Sequence, residues 1–383
     1  MVAEVRRGRS MRSVAKTFRM SLHTVQRWVT RAADGPLDEV DWADRPSGDR
    51  TSSRRTKRSV EQRVLTIRRA LKTKSDLGEY GAAAIRREML ARKQRAVPSL
   101  RTIGRILERG GALDGRRRMR HKAPPRGWFL SDVREQRAEL DSFDMIEDLA
   151  LRGGRPVNVL TGISLHGALG AAWPGAEITA KSTVESLIEH WRAFGLPAYA
   201  KFDNDTIFLG NRRPNSFGRV IRLCLMLKVT PIFAPPLSRG FQADIEAFNR
   251  RWQEAVWQRF TFRNGDEVVT QSQRFIAAHR DRHAVRIEDA PKRRLFPASW
   301  QFNVQRPLRG VVIFIRVTSL SGRATVLDQT FDVSPTWCGR LVRAEVDLTA
   351  QEIRFYALRR KDPDNHMLLA THPYKRPTKP FWE

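Results

Sequence analysis

The stretch 138–146, AELDSFDMI, marks the point where the pattern of the chain changes. Upstream, apolar residues recur at helical spacing; from here on, short strands and helices are expected in alternation. Ala138–Ile146 is predicted as a first strand, Pro156–Leu165 as a second and Ala168–Trp173 as a third. A helix over Lys181–Phe194 follows, then a short strand, Ala198–Phe202, ending at Asp203. Phe217–Leu227 reads as helix, Val229–Ala234 as strand and Arg239–Arg259 as one long helix. Strands first, then alternating helix and strand, predict a mixed α/β sheet covered by helices.

Downstream, Gly310–Thr318, Thr325–Val333, Leu341–Asp347 and Glu352–Leu358 are short strand-like runs bounded by turn signals such as Ser321-Gly322. That spacing predicts a small C-terminal β-barrel over residues 300–383. Upstream, Arg12–Phe18 and Leu22–Ala32 are two short helices with a break at Arg19-Met20, and Ser21 is placed to cap the second. The second carries Leu22, Val25, Trp28 and Val29 on one side and His23, Thr24, Gln26, Arg27 and Arg31 on the others. A basic, amphipathic second helix after a tight turn predicts a helix-turn-helix that binds DNA. Val60–Lys72, Ala82–Ala91 and Ser99–Arg109 repeat the theme, with Arg101 and Arg105 on the last helix.

The predicted organisation is a helix-turn-helix (1–33), a linker (34–58), a second helical DNA-binding module (59–113), a basic linker (114–130), an α/β core (131–290) and the β-barrel with its tail (300–383). Arg116, Arg117, Arg118 and Arg120 crowd the second linker, where they are placed to follow a phosphate backbone.

Charge points the same way. The chain has 383 residues and a formal net charge of +29. Residues 1–130 hold 33 Lys and Arg against 13 Asp and Glu, about two thirds of that excess. A local basic footprint of this kind fits double-stranded DNA as a partner. The two cysteines, Cys224 and Cys338, form no Cys-x-x-Cys pair, so a disulfide framework or cysteine zinc site is not expected. No run approaches the ~20 apolar residues of a membrane span, and a soluble intracellular protein is expected.

Three acids stand where an α/β sheet builds sites: Asp141 in ELDSFD, Asp203 in KFDNDTIF and Glu246 in GFQADIEAFNRRW. Asp144 competes with Asp141, since residues three apart on a strand face opposite sides. Carboxylates converging on one pocket would suit Mg²⁺ or Mn²⁺. Two such ions about 3.5–4 Å apart can activate a hydroxyl and stabilise a leaving oxygen. Asn204 either positions Asp203 or meets substrate, and Arg250 and Arg251 are placed to hold phosphate. Lys292, Arg293 and Arg294 read as a surface basic cluster.

Taken together, Glu139-Leu140-Asp141, Asp203-Asn204-Asp205-Thr206-Ile207-Phe208 and the Ala243–Arg250 stretch around Glu246 resemble the catalytic core of DDE transposases in the retroviral-integrase superfamily, above all those of bacterial insertion sequences. Asp205 stands where that family usually has Gly, and 43 positions separate Asp203 from Glu246, a longer interval than usual. The resemblance implies an RNase H-like core and a catalytic triad of Asp141, Asp203 and Glu246 holding two Mg²⁺ or Mn²⁺ ions. It implies 3′-end cleavage at the ends of a mobile element and strand transfer into target DNA, within a homo-oligomeric synaptic complex. It also implies a cytoplasmic, nucleoid-associated bacterial location. The alternative reading is a domesticated sequence-specific DNA-binding protein, or a nuclease of the same fold without strand transfer.

Overall fold

The computed structural model describes residues 1–43, 56–113, 125–210, 217–236, 240–360, 362–375 and 381. The chain divides into two compact units, Met1–Arg58 and Ser59–Glu383.

The first unit is helical: α1 (Val2–Arg6), α2 (Met11–Thr17) and α3 (Leu22–Ala32). Ser10 and Ser21 cap α2 and α3, accepting from the backbone N–H of Ser13 and Thr24. Each satisfies a donor that the first helical turn would otherwise leave open. Arg19 takes a left-handed conformation at φ 49° and tightens the turn between the helices. Val14, Ala15 and Val25 form the small core, with Met1, Val5, Met11 and Val29 packed against it. Arg6 closes the end of α3 by donating to the carbonyls of Ala33 and Gly35, both at 2.8 Å.

The second unit opens with α4 (Arg58–Lys74), α5 (Ala82–Ala91) and α6 (Leu100–Arg109), wrapped around Val64, Ile67, Ile85, Met89, Ile103 and Ile106. Arg259 reaches back from the sheet region to the carbonyls of Thr73, at 2.7 Å, and Ser75. After α7 (Ser131–Arg134) come β1 (Leu140–Ala150), β2 (Pro156–Ser164), β3 (Gly170–Gly175), α8 (Ala180–Phe194) and β4 (Tyr199–Phe202). Then follow α9 (Thr206–Leu209), α10 (Arg219–Met226), β5 (Thr230–Phe233) and α11 (Ala243–Trp252), which runs into a π-helical turn at Gln253–Trp257. The long helix expected over Arg239–Arg259 is therefore shorter at both ends. Next are α12 (Gly265–Arg282), α13 (Ala284–Glu288), β6 (Val311–Val317), β7 (Arg323–Val326), β8 (Gln329–Asp332), β9 (Leu341–Asp347), β10 (Glu352–Ala357) and β11 (Leu368–Pro373).

Among the described residues, nine strands form one sheet in the order β11-β10-β9-β6-β5-β4-β1-β2-β3. The strands β1, β2 and β3 pair antiparallel, whereas β4 joins β1, and β5 joins β4, in parallel. Helices cover both faces. On one, Trp191 of α8 and Leu223 of α10 pack with Phe143, Phe202, Phe233 and Phe314. On the other, Ile245, Phe248 and Trp252 of α11 and Phe275 of α12 pack with Val159 and Ile163 of β2.

The expected β-barrel is not a separate closed body. β6 pairs parallel with β5, Ile232 opposite Ile313 and Phe233 opposite Phe314, and β9, β10 and β11 extend the same sheet. The reason is visible in VVIFIRV: four consecutive residues of β6 are buried, the pattern of a strand covered on both faces. An aromatic ladder runs across the joint, Phe233 and Phe314 stacking with centroids 5.1 Å apart. β9 and β10 alternate strictly between buried and half-buried positions, as strands with one covered face do. The hairpin of β7 and β8 stands apart, its two-residue turn built by Leu327 and Asp328 at φ 50° and 58°, the conformation that suits twisted strands. Among the described residues no helix is long and apolar enough to cross a membrane.

Candidate nucleic-acid interface and the buried carboxylates

The outer face of α3 is built by its inner one. Burying Val25 turns His23, Gln26 and Arg27 outward, and all three are exposed. Arg27 lies over the ring of Trp28, its guanidinium carbon 5.3 Å from the centroid, which props the side chain without consuming its donors on an acid. Two residues expected on this surface do other work. The Thr24 hydroxyl is 2.7 Å from that of Ser21, inside the cap. Arg31 donates to the Ala43 carbonyl at 2.7 Å and pairs with Asp41 at 3.3 Å, with only 12% of its side chain exposed.

The same construction recurs on α6. Ser99 caps it, accepting from the Thr102 N–H at 3.3 Å. Ile103, Ile106 and Leu107 are buried, which leaves Arg101 and Arg105 exposed one turn apart. Arg109 is spent on Glu61 at 2.5 Å. Arg116, Arg117, Arg118 and Arg120 lie outside the described residues. Arg250 is exposed on α11.

The carboxylates separate into two environments. Asp141 and Phe143 point toward α8. Asp141 is 1% exposed, accepts from the Trp191 indole N–H at 3.1 Å, and takes both terminal nitrogens of Arg293. Arg293 was expected on the surface; its side chain is 13% exposed. Burial opposes its charge, but the charge and hydrogen bonds of Asp141, with the charge of Glu139, outweigh burial and raise its pKa. Arg294 stays exposed while donating to the carbonyls of Leu227 and Lys228.

Asp144 points to the other face, toward α11, where the Asn249 amide donates to it at 2.8 Å. Burial, then the charge of Asp203, and more weakly that of Glu246, raise its pKa to about 6, while the Met145 N–H and Asn249 hold it down. Burial likewise raises Asp203, whose Oδ1 accepts from the Asp205 N–H at 3.0 Å. Glu246 is exposed. The structure thus sets Asp203 and Glu246 in electrostatic reach of Asp144 and leaves Asp141 sealed on the opposite side of β1. A cation already stands among these acids. Lys201 is 2% exposed and donates to the Phe241 carbonyl; burial lowers its pKa to about 8 against the pull of Asp244, Glu246 and Asp144.

These placements overturn the metal-dependent reading. Among the described residues, no group of three or more His, Cys, Asp or Glu is arranged to hold a metal ion. Neither a two-ion Mg²⁺ or Mn²⁺ centre nor a DDE transposase chemistry of 3′-end cleavage and strand transfer has a donor set here. The physical reason is that one expected ligand, Asp141, is neutralised by Arg293.

Sequence reading placed Glu139 in a motif but gave it no role. It is 2% exposed, and its carboxylate accepts from the His166 and Gly167 N–H groups, each at 2.9 Å. Burial, then Asp141, raises its pKa. Its alternation with Leu140 was visible, but nothing local announced a buried acid. Asn204 is a positioning residue: its amide donates to the Ala234 carbonyl at 2.7 Å and its oxygen accepts from Arg316 at 2.9 Å, joining the Asp203 turn to β6.

No family model and no curated protein matches the chain. Among solved structures, the HTLV-2 integrase catalytic core domain in complex with magnesium is similar at 10% identity and a TM-score of 0.25, over 36% of this chain and 74% of that one. The simian T-cell lymphotropic virus intasome in complex with the PP2A regulatory subunit B56 gamma gives 12% identity and a TM-score of 0.33, over 72% and 87%. The BIV integrase catalytic core domain gives 16% and 0.27, over 37% and 81%. The likeness to retroviral integrases is distant and partial, and it carries no statement of activity.

Proposed function

We propose that this chain is a sequence-specific double-stranded DNA-binding protein, in which an integrase-like α/β body serves as scaffold rather than as a metal-dependent strand-transfer enzyme. The observation that carries this reading is the outward set His23, Gln26 and Arg27 on a capped helix whose other side is buried. Arg and Gln are side chains suited to guanine and adenine edges in the major groove. The helix follows another across a tight turn, the geometry that lays a recognition helix in that groove. Arg101 and Arg105 on α6 supply a second basic face, and the basic excess of the first third of the chain supplies phosphate affinity.

The test is selection of duplexes from a randomised pool by the full chain, followed by fluorescence anisotropy on the recovered sequence. Arg27→Ala is expected to cost about 1–3 kcal/mol on the selected site and little on a scrambled duplex. Arg101→Ala is expected to weaken both alike and to shallow the salt dependence. Equal affinity for every duplex, unaltered by Arg27→Ala, would remove the recognition role of α3.

A further inference from the structure

Beside the start of α11 lies a cavity of about 80 Å³, lined among others by Arg126, Asp244, Arg251, His279, His283 and Arg286. Its size is that of a few waters at about 30 Å³ of liquid volume each, and so of one tetrahedral oxyanion. Its chemistry is lopsided: three guanidiniums and two imidazoles face one carboxylate. Among the described residues no acid forms an ion pair with these guanidiniums, although the charges of Asp244 and Glu139 act on Arg286. Arg286 donates to the carbonyls of His166 and Leu165, and Arg126 donates to Leu165 at 3.3 Å. Arg251 has no hydrogen bond or ion pair among the described residues, yet its charge is felt at His279, His283 and Arg286.

The imidazoles are held in place by backbone. His279 Nε2 is 3.1 Å from the Ala168 carbonyl, and His283 Nδ1 is 2.8 Å from the His279 carbonyl. Burial first, then neighbouring cations, lowers the pKa of both. Protonating either adds charge to a place that already has a surplus of it. A concavity with an unbalanced positive lining favours an anion with several acceptor oxygens, and guanidinium forks match phosphate geometry.

We propose that this cavity is a phosphate-binding pocket, built from other residues than the DNA contacts proposed on α3 and α6, with Arg251 as the anion's principal donor. The occupant is one phosphate group, either free inorganic phosphate or a phosphate of a DNA backbone.

Inorganic phosphate is titrated into the full chain and followed by calorimetry and thermal unfolding, with chloride at matched ionic strength as control. Arg251→Gln is the informative variant, because Arg251 is exposed and bonds to nothing that the fold needs. Arg286→Lys is the second, keeping the charge and losing the fork. Saturable binding to the native chain, weakened about tenfold in Arg251→Gln, is the expected result. If phosphate also displaces a labelled duplex, and Arg251→Gln weakens that duplex, the phosphate belongs to DNA. If phosphate binds and the duplex is indifferent, the pocket takes the free ion. No saturable binding, an equal response to chloride, or unchanged affinity in Arg251→Gln overturns the proposal. The phosphate titration contains no DNA, so its outcome is independent of the proposed recognition role.

Discussion

Arg293 closes on Asp141 across 152 positions of sequence, giving both terminal guanidinium nitrogens to one carboxylate that also accepts from Trp191. The pair is buried, so each charge depends on the other. Arg293→Ala is expected to destabilise the chain by about 3–5 kcal/mol, since it leaves a buried carboxylate unpaired. Combining Asp141→Leu with Arg293→Met is expected to recover most of that loss, because well-packed apolar pairs often replace buried ion pairs at little cost. Urea unfolding of both variants is the check; losses that add would argue against mutual dependence.

Asp144 gives the opposite kind of test. Its pKa lies near 6 in the fold against an ordinary value of 3.8, so the fold prefers the protonated form. The stability from this group is fully present below pH ~4 and is lost as pH rises through ~6. Asp144→Asn imitates the protonated acid and keeps an acceptor for Asn249. It is expected to stabilise by on the order of 2 kcal/mol above pH ~7 and by little below pH ~4. A pH-independent change in denaturant midpoint would contradict this.

His190 sits fully buried among Phe143, Trp173 and Phe194, with ring centroids 6.5, 5.6 and 5.2 Å away. Burial lowers its pKa from 6.5 to about 4. Between those values the unfolded chain binds more protons, so stability falls as pH drops from ~6.5 to ~4 and levels off below. His190→Phe is expected to fold, and to flatten the pH dependence of unfolding free energy by about one proton in that window. An unchanged slope would show that His190 does not carry it.

Phe314 tests whether the C-terminal strands belong to the core. It is fully buried and stacks on Phe233 of β5. Phe314→Ala is expected to cost about 3–5 kcal/mol and to lower the unfolding transition of the whole sheet as one. Two separated transitions in calorimetry would favour an independent C-terminal domain.

These contrasts show what the sequence made legible. Helix α3 was read at its observed bounds, Leu22–Ala32, because a cap and an amphipathic period are local signals. The side of β1 that each acid faces was not legible. Its first four residues are all buried, so no exposed position marks a face, and Asp141 and Asp144 were left as competitors. Arg293 looked like one member of a basic run; only its partner, far away in sequence, makes it a core residue. The C-terminal runs carried a true strand period. That period names which residues pair, not whether they close on themselves or continue a sheet.

The joint between β5 and β6 also sets an order of events on the ribosome. The strand β5 is made well before β6, and the helices α11, α12 and α13 emerge between them. Until Val311–Val317 is released, the nascent chain carries an unpaired, apolar strand edge, the kind of surface on which chains stick to one another. Pro231 removes one donor from that edge. Chaperone demand should therefore concentrate in the interval between synthesis of β5 and release of β6, and premature termination there should yield aggregates rather than a shortened protein.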